Sequence, residues 1–171
     1  MPKALVRHRG TLFVEHAAQV LHAGGCHPVV VVLGARAADV RDQASLPQVS
    51  LVDNQEWTTG MGSSLRVGLT ALADSPATAA LVLPVDTPGV TPEAVRRFIA
   101  LATPATLARA TYDGHPGHPV LLGRNHWAEV MKSATGDAGA RTYLTSNDPV
   151  EVPCEDVATG DDVDRPEDLP S

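Results

Sequence analysis

Aromatic side chains are scarce: they make up 4% of 171 residues, with two each of Trp, Tyr and Phe. Val, Leu and Ala must therefore fill most of the core, within a hydrophobic share of 43% that is ordinary for a globular chain. Cysteine is nearly absent. Cys26 and Cys154 form no CxxC pair and no zinc spacing, so they read as buried free thiols of a reducing, cytoplasmic compartment. No apolar run approaches the ~20 residues needed to span a bilayer. The opening "MPKALVRHRG" lacks the apolar stretch of a signal peptide, so no membrane partner is expected. Basic residues are also few, 13 against 20 acids, giving a net charge of −7. That balance excludes a broad grip on nucleic acid, which rests on Lys and Arg against phosphates. An acidic site that recruits a divalent cation is compatible with it.

What is present alternates. "TLFVEHAAQVLHAGG" (11–25) has helical spacing and ends on Gly24-Gly25, a C-cap pair. "PVVVVLG" (28–34) predicts a strand buried on both faces. A short helix over 35–44, a strand over 49–54 and a helix over 61–74 follow. "AALVLPVD" (79–86) predicts another buried strand, with Asp86 at its tip. "TPEAVRRFIALA" (91–102) predicts a helix with Thr91 as N-cap and Pro92 at its first position. "TLARATYDG" and "HPVLLG" read as two strands joined by a turn around "GHPG" (114–117). Two short helices, within 125–134 and 139–147, and a strand at 150–154 complete the pattern; the acidic tail should wrap over the domain. Strands alternating with helices imply βαβ units and a mostly parallel sheet covered on both faces. In such sheets ligands bind beyond the carboxyl ends of the strands, where Asp86 is placed.

Several residues can carry chemistry. Asp86 suits Mg²⁺ as a hard carboxylate, or it simply begins the turn before Pro88 and Gly89. A second acid is available in "GDDVDRPEDL" (160–169), where Asp164 follows the apolar Val163 and precedes a helix start at Pro166. "GMGSSLRVGL" (60–69) sets Gly60, Gly62, Ser63 and Ser64 at a helix N-terminus, able to receive a phosphate or a base edge, or merely to cap the helix. His115 and His118 in "GHPGHPVLLG" lack further zinc ligands and read as a rigid loop lining a pocket. In "GDAGAR" (136–141), Asp137 reads as a helix cap and Arg141 as an anion partner.

Taken in order, "PKALV", "NQEWTTGMGSSLRVGL", "LVLPVDTPGV", "GHPVLLGR", "GDAGAR" and "DVDRPEDL" resemble the molybdenum cofactor cytidylyltransferase-like nucleotidyltransferases, whose unit is a MobA-like NTP transferase domain. The resemblance spans essentially the whole chain. It implies a Rossmann-like, doubly wound α/β domain of the nucleotide-diphospho-sugar transferase type. It implies Mg²⁺-dependent transfer of a nucleoside monophosphate from an NTP, CTP first, to a phosphorylated acceptor. That acceptor would be molybdopterin or the molybdenum cofactor, with a molybdoenzyme as client. Carried over by position, Asp86 and Asp164 would hold Mg²⁺ and Lys3 would lie against the triphosphate. Gly60, Gly62, Ser63 and Ser64 would border the nucleotide. Gly117, His118, Pro119, Asp137 and Arg141 would border the acceptor. A guanylyltransferase of the same family, or a non-catalytic nucleotide- or cofactor-binding protein, stays open.

One departure accompanies the resemblance. The family pattern places a strand and a glycine-rich loop, LAAGxSxRMG, directly before the PK dipeptide, whereas Met1 stands before Pro2-Lys3 here. The expectation is one domain over 1–171, truncated at its N-terminus relative to the family, lacking the first strand and leaving two strand edges unpaired.

Overall fold

The computed structural model describes residues 2–169; the last two tail positions, 170 and 171, lie outside the described residues. After a 3₁₀ turn at Lys3–Leu5, a hairpin pairs β1 (Arg7–His8) with β2 (Thr11–Leu12). Arg9 and Gly10 take φ of 52° and 82° at its tip, the positive-φ geometry that suits a two-residue hairpin. Helix α1 (Phe13–Gly24) ends where Gly25 adopts φ 103°, the left-handed C-cap its sequence announces. At its start the Glu15 carboxylate accepts hydrogen bonds from the backbone N–H groups of Leu12 (3.0 Å) and Ser45 (2.8 Å).

Then come β3 (Val29–Leu33), α2 (Ala37–Gln43), β4 (Val49–Asp53), α3 (Met61–Leu72) and β5 (Ala79–Val82). Helix α4 (Pro92–Ile99) starts as predicted, the Thr91 hydroxyl accepting from the Ala94 N–H. The rest is β6 (Leu107–Tyr112), β7 (His115–Gly123), α5 (Trp127–Ser133), α6 (Arg141–Ser146) and β8 (Val150–Pro153).

The strands form a β1-β2 hairpin, a parallel β3-β4 pair, and a four-stranded sheet in the order β5-β7-β6-β8. Strand β7 is antiparallel to both β5 and β6, while β8 is parallel to β6. In that sheet β5, β6 and β8 therefore run one way and only β7 runs against them. Alternation along β6 and β7 divides the core: Ala108, Ala110 and Leu121 pack with Val95 and Phe98 of α4 and Val20 of α1. Leu107, Val120 and Leu122 pack on the other face with Leu69 of α3, Trp127 and Val130 of α5 and Leu144 of α6. Helices thus cover both faces, as the alternating pattern requires. A third cluster joins Leu5, Leu12 and Val14 to Leu33, Val40, Leu51 and Val85 and anchors the N-terminal segment.

Three expectations need correction. Strand β5 stops at Val82, so Asp86 lies four residues beyond it, in the loop that Pro84 opens by removing a ladder N–H. The hairpin turn is Asp113-Gly114 (φ 52° and 83°), and "HPG" is strand, paired Tyr112 to His115 through Ala110 to Gly117. The Asp-Gly dipeptide is the stronger turn signal, because both of its residues tolerate φ > 0. Finally, β3 is not buried throughout: Val30, Val31 and Val32 are half-buried. Among the described residues β3 pairs only with β4, and β5 only with β7, so two strand edges stay unpaired.

Candidate functional site

The loop after β5 is clamped from two directions. The Thr87 hydroxyl donates to the Pro84 carbonyl (3.0 Å), and His16 of α1 hydrogen-bonds the Pro88 carbonyl (2.9 Å). The tail then crosses it. Thr159 N–H donates to the Gly89 carbonyl (3.1 Å), and Val163 N–H donates to the carbonyl of Asp86 itself (2.8 Å). A Cβ on Gly89 would fall 1.9 Å from the Thr159 hydroxyl oxygen, so this crossing needs glycine there. The Tyr112 ring supports the same crossing. A Cβ on Gly160 would come within 2.3 Å of it, and its hydroxyl donates to the His118 carbonyl (2.6 Å). Buried Val163 pins the strap, so Asp164 is delivered beside Asp86 from 78 residues further along the chain.

The two acids do converge, and what stands between them is Lys3. Its Nζ donates to Asp86 Oδ2 and to Asp164 Oδ1, both at 2.8 Å. Asp86 is the more enclosed partner, 19% exposed against 73% for Asp164. The hydrogen bonds to Asp164 and Asp86 hold the Lys3 ammonium well above the usual lysine range, and Lys3 holds the Asp164 carboxyl below the usual carboxylate range. Two neighbours belong to the same field. Partial desolvation, then the Asp86 charge, raise the Asp162 carboxyl. Burial lowers the half-buried His118 imidazole, against the pull of Asp162 and Asp86. Asp162 was not singled out from sequence; its position two residues before Asp164 is the only signal that marks it. Asp86 and Asp164 supply hard oxygens, the donor set that suits Mg²⁺ or Mn²⁺ completed by phosphate oxygens and water.

A second constellation is built on the loop between β4 and α3. Asn54, 3% exposed, donates from Nδ2 to the hydroxyls of Ser63 (2.8 Å) and Ser64 (3.0 Å). Its Oδ1 accepts from the Glu56 N–H (2.9 Å). The Ser63 hydroxyl in turn reaches the carbonyls of Glu56 (3.0 Å) and Gly60 (2.9 Å). Ser63 is therefore a lock inside the loop, while the half-buried Ser64 keeps an open side. Gly60 has φ 112°, and a Cβ there would meet the Gly136 backbone at 2.5 Å and Asp137 Oδ1 at 2.7 Å. A Cβ on Gly62 would meet the Ala134 backbone at 2.8 Å. Sequence-distant "GMG" and "GDAG" thus lie against each other, which sets Asp137 beside the helix start at Gly60.

Asp137 sits in a 3₁₀ turn (Gly136–Ala138) and caps nothing; Ala140 precedes α6, with no side-chain cap. Arg141 is exposed at the first residue of α6. Gly117, His118 and Pro119 belong to β7, not to a loop, and the His118 imidazole feels the charges of Asp162 and Asp86. Beside the Asn54 network is a hollow of about 280 Å³ lined by Gly34, Arg41, Asp53, Asn54 and Trp57, whose indole is 47% exposed. Asn54 and Trp57 stand in the quoted stretch "NQEWTTGMGSSLRVGL" but were given no role from sequence.

Comparison with known proteins gives the family and the fold. The MobA-like NTP transferase domain family matches residues 1–150. Asp86 lies inside the matched span and Asp164 beyond it. Nicotine blue oxidoreductase from Paenarthrobacter nicotinovorans is 36% identical over 98% of this chain and 86% of its own. The crystal structure of the Rv0371c homologue from Mycobacterium sp. strain JC1 superposes with a TM-score of 0.83 at 26% identity, over 98% of this chain and 84% of its own. Rv0371c of Mycobacterium tuberculosis H37Rv, in complex with manganese, superposes with a TM-score of 0.74 at 26% identity, over 89% of this chain and 80% of its own. The fold is accordingly Rossmann-like α/β of the nucleotide-diphospho-sugar transferase type. No helix among the described residues is long and apolar enough to cross a membrane.

Proposed function

From the premise that the chain belongs to the MobA-like NTP transferase domain family, we propose that it transfers a nucleoside monophosphate from an NTP to a phosphorylated small molecule. In our reading the donor is CTP, the acceptor is molybdopterin or the molybdenum cofactor, a molybdoenzyme is the client, and one domain over 1–171 does the work in the cytoplasm. The two free cysteines fit a reducing compartment. An acceptor phosphate oxygen attacks the α-phosphorus, the bond from that phosphorus to its bridging oxygen breaks, and pyrophosphate leaves.

The observation that carries this reading is the meeting of Asp86, Asp164 and Lys3 at 2.8 Å contacts beyond the carboxyl end of β5. Such transfer asks little covalent help of the protein; it needs alignment of oxygens and neutralisation of charge. Asp86 and Asp164 would hold a divalent ion, Mg²⁺ in our reading, which when bound supplies positive charge to the phosphate oxygens. A manganese complex of a relative supports a divalent ion of this kind. Lys3 offers its ammonium to the triphosphate. Ser64 and the backbone at Gly60 and Gly62 receive the nucleotide, with the base against Trp57. Gly117, His118, Pro119, Asp137 and Arg141 border the acceptor, and Ser63 shapes the loop from within.

The test is pyrophosphate release from the chain with Mg²⁺, acceptor and CTP, GTP or ATP in turn. CTP should be preferred, and Asp86→Ala should lower the rate by about a hundredfold or more. Release that is indifferent to Asp86→Ala removes the metal assignment; preference for GTP makes the chain a guanylyltransferase; tight nucleotide binding without turnover makes it a binding protein. The 36% identity to Nicotine blue oxidoreductase favours a second reading, a redox activity on nicotine blue or a related dye. Bleaching of that dye with NADH or NADPH as reductant, faster than the nucleotidyl transfer, would establish it in place of the first.

A further inference from the structure

The ammonium of Lys3 occupies the ground between the two carboxylates that a divalent ion would share. Both contacts are 2.8 Å, so an ion held by Asp86 and Asp164 would have to dislodge Lys3. Like charges that close repel, and the loop-and-strap clamp leaves the carboxylates little room to serve both cations at once. A triphosphate changes the balance. It gives the ammonium anionic oxygens to move to, and gives the ion extra oxygen ligands. We infer that Lys3 and the divalent ion compete for Asp86 and Asp164, so that this site takes the metal–triphosphate chelate as its ligand and refuses the free ion. The inference rests on the metal assignment of the preceding section and adds to it an order of binding.

Lys3 and Lys132 are the only lysines in the chain, and Lys132 pairs with Glu129 on the exposed face of α5. Lysine labelled with ¹³C at Cε therefore gives two signals, one from the site and one internal control. The full chain is titrated with Mg²⁺ alone, followed by NMR and by calorimetry, in the parent, in Lys3→Met and in Asp86→Asn. Lys3→Met should bind Mg²⁺ at least tenfold more tightly than the parent, and Asp86→Asn should bind it less tightly than either. As the parent's weak site fills, the Lys3 signal should move while that of Lys132 stays. Equal Mg²⁺ affinity in the parent and Lys3→Met, or a filled site with an unmoved Lys3 signal, overturns the competition and leaves the metal assignment standing. No Mg²⁺ binding at millimolar concentration in either protein overturns the metal assignment, and the competition with it.

Discussion

Strand β3 and residues 120–122 of β7 are built from similar aliphatic residues and end up in different surroundings. In β7, Val120, Leu121 and Leu122 are 4%, 1% and 0% exposed, because β5 and β6 flank the strand and helices cover both faces. In β3, Val30, Val31 and Val32 stay half-buried, because among the described residues β4 is the one strand paired with it. An aliphatic run announces a strand; it does not say how many strands flank it. The unpaired edges of β3 and β5 are also places where the backbone still offers hydrogen bonds. The proposed chemistry stands near this looser side, on loops fastened by hydrogen bonds more than by apolar burial.

The largest expected effect tests the packing difference directly. Phe98 is fully buried between α4 and the four-stranded sheet, so Phe98→Ala should cost about 3–5 kcal/mol in urea unfolding. Val31→Ala removes two half-buried methyl groups and should cost only about 1 kcal/mol. Equal costs would mean that the Val31 side chain is far more enclosed than half-buried, and the comparison between the two sides would fail.

The next effect concerns how the looser side is fastened. Asn54→Ala removes the donor shared by the Ser63 and Ser64 hydroxyls and leaves the Glu56 N–H without its acceptor, a loss of about 1–3 kcal/mol. It should also loosen the 54–60 loop, read as faster amide exchange there than in β6 and β7. Unchanged exchange would show that the loop is held by something other than Asn54.

Two glycines of α3 sharpen the point with opposite signs. Gly62→Ala drives a Cβ to 2.8 Å from the Ala134 backbone, and forced displacement of this kind costs about 1–3 kcal/mol, more than helix propensity returns. Gly68→Ala meets only the Val32 side chain at 3.4 Å, an ordinary contact, and should stabilise the chain by about 0.5–1 kcal/mol. Thermal unfolding of the two variants reads the difference, and a loss at Gly68 would mean that α3 sits closer on β3 than the structure has it.

Local signals were legible in the sequence where one residue type settles one geometry. Gly25 ended α1, Thr91-Pro92 opened α4, and the apolar runs marked β3 to β6, β8 and the second half of β7, while the β1-β2 hairpin went unread. The order of motifs suggested that Asp86 and Asp164 share a metal site; in the structure both accept from Lys3 Nζ. What could not be read depends on contacts within one loop or between distant loops. The Asn54 lock, the crossing of Gly89 by Thr159, and the apposition of Gly60 with Gly136 leave no periodic trace. The misplaced hairpin turn had a different cause. Prolines at 116 and 119 drew the turn toward them, although a two-residue turn asks for φ > 0, which Asp113-Gly114 supplies and proline cannot.

A comparably small effect is a pH dependence that reports mainly the better-packed side. Both cysteines belong to the cluster between α1, α4 and the four-stranded sheet. Burial pushes the Cys26 thiol up to about 11 from 9.0, and raises the fully buried Cys154 thiol as well. Above pH 9 the unfolded chain releases these protons while the folded chain keeps them. Stability should therefore be full below pH 9 and fall as the pH climbs toward 11, by about 1 kcal/mol at pH 10 from Cys26 after allowing for its partial exposure. Cys26→Ala should flatten that limb between pH 9 and 10, leaving the share of Cys154. Above pH 10, Tyr112, raised by burial, adds a loss of the same sign. Denaturation midpoints measured at pH 8, 9 and 10 distinguish the outcomes. A parent curve with no fall by pH 10 would mean that the cluster around Cys26 admits enough water to stabilise a thiolate, and the two sides of the molecule would then differ less than their strands do.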